Sequence, residues 1–181
     1  MKFTKRASLF VVFTLIALLA ALTALLLPSE PQAPAPQLRF TLLDGRALTL
    51  DALRERPVLV AFWATTCAPC VEETPDLIKL YQDLNPRGLE LIAVAMPYDP
   101  PLNVQIFARD RQVPYPIALD IDGAVAREFG GVRSIPAAFL IDPQGRIIYR
   151  QSGKLDIERV RALSLPFLAD APKAGARQRA I

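Results

Sequence analysis

A chain of 181 residues, whose first thirty or so do not resemble globular sequence, leaves polypeptide enough for one folded domain with one core. Of its 21 basic residues, Lys2, Lys5 and Arg6 precede the first apolar run. The rest of the chain carries 18 basic against 18 acidic groups, without the basic excess that binding nucleic acid by charge requires. Histidine is absent, which removes the commonest general base and the commonest neutral metal ligand, so the chemistry must run on sulfur, carboxylate or backbone.

Residues 7–27, ASLFVVFTLIALLAALTALLL, carry no charge. As a helix rising about 1.5 Å per residue they would reach about 31 Å, one hydrocarbon core. The three cations before them predict a short cytoplasmic N-terminus, residues 1–6, with everything after Pro28 outside the cytoplasm. A cleaved signal peptide is the alternative, with Ala21-Leu22-Thr23 as its small-x-small site. Such apolar regions are usually about 7 to 15 residues, however, and this run continues through Leu27. No cysteine follows that could carry a lipid. Residues 28–37, PSEPQAPAPQ, contain four prolines and predict an extended spacer.

The folded part is expected over 38–170. Residues 38–50 alternate apolar and polar around Asp44-Gly45, a hairpin signal. Asp51 is expected to cap a short helix ending before Pro57. Residues 58–63, VLVAFW, form a continuous apolar run of strand length, as a central strand covered on both faces requires. A helix should follow, with Leu77, Ile78, Leu80, Tyr81 and Leu84 at helical spacing and Pro75 able to kink it. Then come a buried strand at 89–96, a helix at 103–112, a short strand at 117–120 and a short helix at 124–129 ending at Gly130. Strands at 137–142 and 146–150 are joined by the turn Asp142-Pro143-Gln144-Gly145. An amphipathic helix closes the domain at 156–169, and 171–181 read as a frayed tail. This order predicts an α/β fold with a mixed sheet and helices on both faces.

The only two cysteines, Cys67 and Cys70, are separated by Ala68-Pro69, after a buried strand and at the start of a helix. A sulfur there lies near unpaired backbone N–H groups and the positive end of the helix dipole, so its thiolate is stabilised. The second cysteine, one turn inward, is close enough to resolve a mixed disulfide. A zinc site would need two further ligands, and no other cysteine or histidine exists to supply them. A purely structural bridge across so short a loop would constrain little unfolded-chain entropy. The pattern therefore points to redox chemistry, with no metal or cofactor called for.

Trp63-Ala64-Thr65-Thr66-Cys67-Ala68-Pro69-Cys70, preceded by VLVAF, resembles the active-site segment of thioredoxin-like proteins. Gly131-Val132-Arg133-Ser134-Ile135-Pro136, running into AAFLID, resembles that family's cis-proline loop and following strand. Between them, roughly 97–122 look like an added helix and strand. With the N-terminal anchor, this is similar to the membrane-anchored branch typified by TlpA and ResA. The resemblance implies a thioredoxin fold with an N-terminal hairpin and a central helix-strand insert, preceded by one transmembrane helix. It implies Cys67 as nucleophile, Cys70 as resolving thiol and Pro136 as the cis-proline. Ile135 would then offer its backbone to an extended client, with Trp63 packed beside the site. Glu73 matches a carboxylate found near the active site in the anchored reductases, and with partial burial and a raised pKa it could take or give a proton as Cys70 changes state; the alternative is a solvated helix carboxylate like Glu72. Cytoplasmic thioredoxins carry a buried acid on the strand before the motif, where this chain has Ala61.

The resulting expectation is a disulfide reductase of exported proteins, facing the periplasm or cell exterior, with cytochrome c maturation clients as candidates. It would be recharged by a transmembrane thiol electron donor and held to the inner membrane by its N-terminal helix. A thiol oxidase is the first alternative, disfavoured because Ala68-Pro69 places no histidine between the cysteines. A copper metallochaperone on the same fold is the second. It would need an added soft or imidazole ligand, and Met96 is the only methionine after Met1. A peroxidase would need a threonine where Ala64 stands.

Overall fold

The computed structural model describes residues 33–169, together with Leu15, Ile16 and Leu18. Among the described residues no helix is long and apolar enough to cross a membrane. Apart from those three leucine and isoleucine positions, the expected span 7–27 lies outside them, as does the expected tail 171–181.

Strands β1 (Arg39–Thr41) and β2 (Ala47–Thr49) form the expected hairpin, with Gly45 at a positive φ of 84° in the turn. The main sheet contains β3 (Val58–Trp63), β4 (Glu90–Ala95), β5 (Ile117–Leu119), β6 (Ala137–Ile141) and β7 (Ile147–Ser152), in the order β5-β4-β3-β6-β7. The β5, β4 and β3 strands are parallel, and β6 and β7 are antiparallel additions. Helices α1 (Ala68–Leu84), α2 (Pro101–Asp110), α3 (Ala124–Glu128) and α4 (Ile157–Ser164) connect and cover them.

Strand β3 is central, and all six of its residues are buried, as a run apolar at every position demands. Its side chains alternate between two cores. Leu59 and Trp63 join Leu91, Leu140, Leu80 of α1 and Val160 of α4 on one face. Val58, Val60 and Phe62 join Phe40 of the hairpin and Val125 and Phe129 around α3 on the other.

Both sheet edges are partly occupied. The hairpin reaches β5 through the Leu43 N–H, which donates to the Ile117 carbonyl at 2.8 Å. At the opposite edge the Ile147 N–H donates to the Ala33 carbonyl at 2.9 Å, and the Ala35 N–H to the Gly145 carbonyl at 2.8 Å. The end of the proline-rich segment thus lies along β7, where the sequence suggested a free spacer through residue 37. It pairs because an exposed strand edge offers unsatisfied backbone groups.

Three local expectations need correction. Asp51 does not cap a helix: it lies within a single 3-10 turn, Asp51–Leu53, and its carboxylate accepts from Arg54 Nε at 2.9 Å. Thr49 Oγ1 instead accepts from the Ala52 N–H at 3.2 Å. Helix α2 begins at Pro101, two residues earlier than expected, because proline needs no partner for its absent N–H in a first turn. The closing helix stops at Ser164 and tightens into the 3-10 turn Leu165–Phe167 at Pro166, which cannot donate the next helical bond.

Phe62 shows what the second core demands. It is 1% exposed and meets Phe129 and Phe139 edge-on at centroid distances of 5.4 and 5.8 Å. Phe62→Ala should destabilise the oxidised protein by about 3 to 5 kcal/mol in denaturant unfolding. A loss below about 1 kcal/mol would show that this core closes over the deletion.

Candidate active site

At the end of β3 the chain leaves the sheet through Ala64-Thr65-Thr66 and enters α1 at Cys67. The Cys67 N–H donates to the Ala64 carbonyl at 3.1 Å, and the Cys67 carbonyl accepts the Val71 N–H at 3.0 Å. Cys67 is therefore the residue immediately before the helix, with extended φ and ψ of −89° and 100° and with Pro69 in the first turn. In that turn Pro69 has no N–H, and the backbone N–H groups of Ala68 and Cys70 have no helical acceptor, which favours negative charge on an adjacent sulfur.

One turn inward, Cys70 enters the core. It is 2% exposed, whereas Cys67 is half-buried. The two are joined in a disulfide with S–S 2.07 Å and Cα–Cα 5.3 Å. Of the two sulfurs, only that of Cys67 lies on a residue that solvent reaches appreciably.

Three further contacts fix this junction. Asp99, in the loop after β4, is 4% exposed and accepts from the Thr65 N–H and Thr65 Oγ1, each at 2.6 Å. Thr74 Oγ1 donates to the Cys70 carbonyl at 3.0 Å. The Met96 N–H donates to the Trp63 carbonyl at 3.0 Å, extending the β3–β4 pairing to the end of the strand.

Glu73 is buried, at 4% exposure, while neighbouring Glu72 is exposed. The solvated reading of Glu73 is thereby excluded. Its Oε2 accepts the Leu155 N–H at 3.0 Å, from the segment leading into α4. Burial pushes its carboxyl above the usual range, against the opposing effects of that N–H and of Lys154. Glu73 and Cys70 line one cavity of about 10 Å³ together with Ala61, Trp63, Thr74 and Tyr115. Trp63 is 7% exposed, stacks at 4.9 Å from the Phe107 ring, and leaves its buried Nε1–H without a hydrogen-bond acceptor among the described residues. The Tyr115 phenol is driven upward, first by burial and then by the Glu73 charge.

The Ile135–Pro136 bond is cis. Ala137 stands opposite Phe62 in the β3–β6 register, so Pro136, one residue earlier, reaches the level where β3 runs out towards the cysteines. The Pro136 carbonyl accepts the Gly153 N–H at 2.7 Å. Ile135 is half-buried and, like Cys67, borders the first core.

The structure thus gathers Trp63, Cys70 and Glu73 about one cavity and brings Cys67, Ile135 and Pro136 to the same end of the sheet. Met96 packs in the second core, across the sheet from Cys70, and supplies no third soft ligand to the pair. Among the described residues no group of three or more His, Cys, Asp or Glu side chains converges as a metal site. Sequence reasoning missed Asp99, Tyr115 and the Leu155 N–H. Asp99 and Leu155 act across sequence separations of 34 and 82 residues, and no local pattern records either partnership.

Comparison with known proteins agrees with this geometry. Residues 31–150 match the model of the AhpC/TSA family. The thiol-disulfide oxidoreductase ResA of Geobacillus thermodenitrificans is 33% identical over 127 residues, which cover 70% of this chain and 72% of the relative. ResA of Bacillus thuringiensis subsp. konkukian is 30% identical over 126 residues, with the same coverage. Among solved structures, a thioredoxin-family thiol:disulfide interchange protein from Chlorobium tepidum superimposes with a TM-score of 0.67 at 25% identity, covering 76% of this chain and 99% of that one. The chain belongs to the AhpC/TSA family, as a thioredoxin-fold thiol-disulfide oxidoreductase related to the ResA proteins.

Proposed function

We propose that the protein is an extracytoplasmic disulfide reductase in which Cys67 attacks, Cys70 resolves and Glu73 handles the proton of Cys70. The observation that carries this reading is the shared burial of Glu73 and Cys70 around one cavity, with Cys67 alone turned towards solvent. In the reduced enzyme the Cys67 thiolate attacks one sulfur of a client disulfide. A Cys67–client S–S bond forms, the client S–S bond breaks, and the departing client thiolate takes a proton from water. Cys70 then transfers its proton to Glu73, and its thiolate attacks Cys67 Sγ. The Cys67–Cys70 bond closes and the second client thiolate leaves. Two electrons have passed to the client, and the enzyme is left in the disulfide form described above.

A carboxyl suits that proton transfer only if its affinity for the proton approaches that of the thiol it serves, and burial moves Glu73 in that direction. Ala61 lines the same cavity and has no ionisable group, so Glu73 from α1 is the acid available to Cys70. The client segment is assigned to the Ile135–Pro136 loop, whose backbone would pair with an extended chain. Trp63 forms the apolar wall between this entry and the buried sulfur.

The location follows from charge and apolarity at the N-terminus. Three cations followed by 21 uncharged residues are the pattern of a signal anchor with the domain outside. Exported disulfide-containing proteins, including cytochrome c precursors, are the client class. A membrane protein that passes thiol electrons outward is the donor, because the tethered domain has no direct access to cytoplasmic reductant.

Two outcomes are expected. Cys70→Ser should accumulate mixed disulfides with clients on Cys67, and alkylation of the reduced wild type should label Cys67 first, with a pKa below about 8.5. Faster labelling of Cys70 would reverse the assignment. The raised carboxyl of Glu73 means that the folded state binds more protons than the unfolded one. The oxidised protein therefore loses stability as pH rises from the ordinary carboxylate range towards the raised value. Glu73→Gln should lack that loss in pH-dependent unfolding and should change the pH profile of the resolving step. A stability difference between the two proteins that does not vary with pH would remove Glu73 from the proton path.

A further inference from the structure

On the face of the sheet opposite α1 lies a groove of about 400 Å³ that runs up to the cis-proline loop. Its floor is built from cross-strand pairs of β6 and β7, Ala137 with Ser152 and Phe139 with Arg150. Its wall is the segment 129–134, which carries Arg133 three residues before Pro136. No residue lining the groove is acidic.

Most arginines that approach a carboxylate in this fold are committed to it: Arg46, Arg54, Arg56, Arg146 and Arg161 each bond an aspartate or glutamate. Arg133 and Arg150 are exposed and make no ion pair or side-chain hydrogen bond among the described residues. The Arg150 guanidinium carbon lies over the Phe139 ring, 5.9 Å from the centroid. A cation over a ring face still carries five N–H donors, none of them bonded within the described residues. Two cations at one groove, one of them over an aromatic floor, favour a carboxylate in an extended chain.

We propose that this groove binds an acidic side chain of the client polypeptide, with Arg133 and Arg150 as specificity residues flanking the disulfide entry point. The inference rests on the reading above that the Ile135–Pro136 loop receives the client. A disulfide peptide entering along that loop would meet Arg133 at once and Arg150, opposite Phe139, further along the groove. An acidic client gains at both positions, and a basic client is repelled at both.

The test compares full-length protein acting on two disulfide peptides that differ only in flanking Glu or Lys residues. A small neutral disulfide, bis(2-hydroxyethyl) disulfide, serves as control. The acidic peptide should be reduced with kcat/KM roughly three- to tenfold above the basic one at low ionic strength, and the gap should narrow with salt. The double variant Arg133→Gln/Arg150→Gln should abolish the gap, and Arg133→Glu/Arg150→Glu should invert it. All three proteins should reduce the neutral disulfide equally. That control needs the cysteines and not the groove, so its outcome judges the reductase assignment separately. Equal rates for the two peptides in wild type, or a preference that survives charge reversal, would overturn the proposal. So would arginine-dependent sedimentation with anionic vesicles in the absence of any peptide preference, which would assign the pair to a lipid surface.

Discussion

A strand buried on both faces cannot continue indefinitely, and where β3 ends the chain must leave the sheet at the boundary between core and solvent. Everything about the cysteine pair depends on that handover. Trp63 ends the strand, Ala64 is the last residue still inside, and Cys67 is the first residue to meet unpaired helical N–H groups. Cys70 returns to the interior because it sits one helical turn later on the face of α1 that packs against the sheet. The geometry therefore gives two identical side chains different environments. One sulfur is approachable and stands at a helix N-terminus, which favours negative charge, whereas the other is shielded from solvent. Asp99 holds this junction from outside the motif, tying Thr65 to the loop after β4.

The buried carboxyl, proposed above as the proton acceptor, is also placed by helical spacing. Glu73 is three residues beyond Cys70, so both project from one face, and packing of α4 against α1 buries that face. Burying a carboxylate is unfavourable unless it is partnered. The Leu155 N–H supplies one bond, and the residual cost appears as a raised proton affinity. Trp63, whose Nε1–H has no acceptor among the described residues, and Tyr115 line the same cavity as the buried cysteine.

The parts of this arrangement visible in the sequence are those written in local periodicity. The apolar run 58–63, the CxxC at a strand-to-helix boundary, the Asp44-Gly45 hairpin and the turn at 142–145 each carry their signal within a few residues, and each stands where expected. Helix ends were less legible, because prolines at 101 and 166 act through hydrogen bonds that they cannot make. The burial of Glu73 was only partly legible: helical spacing sets it, and not Glu72, on the face of Leu77, Leu80 and Leu84, but its partner, the Leu155 N–H, comes from 82 residues later. The pairing of residues 33–35 along β7 was hidden for the same reason, since a proline-rich composition says nothing about a strand edge that needs partners.

The central claim is that this environment makes a reductant. Ala68 and Pro69 place no cation between the sulfurs to hold the thiolate form, so the dithiol should give up its electrons readily, in contrast to oxidants that carry a histidine there. Equilibrating the protein in glutathione or dithiothreitol buffers and counting reduced Cys67–Cys70 pairs measures this directly. The account predicts a potential nearer about −270 mV than about −120 mV. A value close to the latter, with efficient oxidation of a reduced model protein, would contradict it.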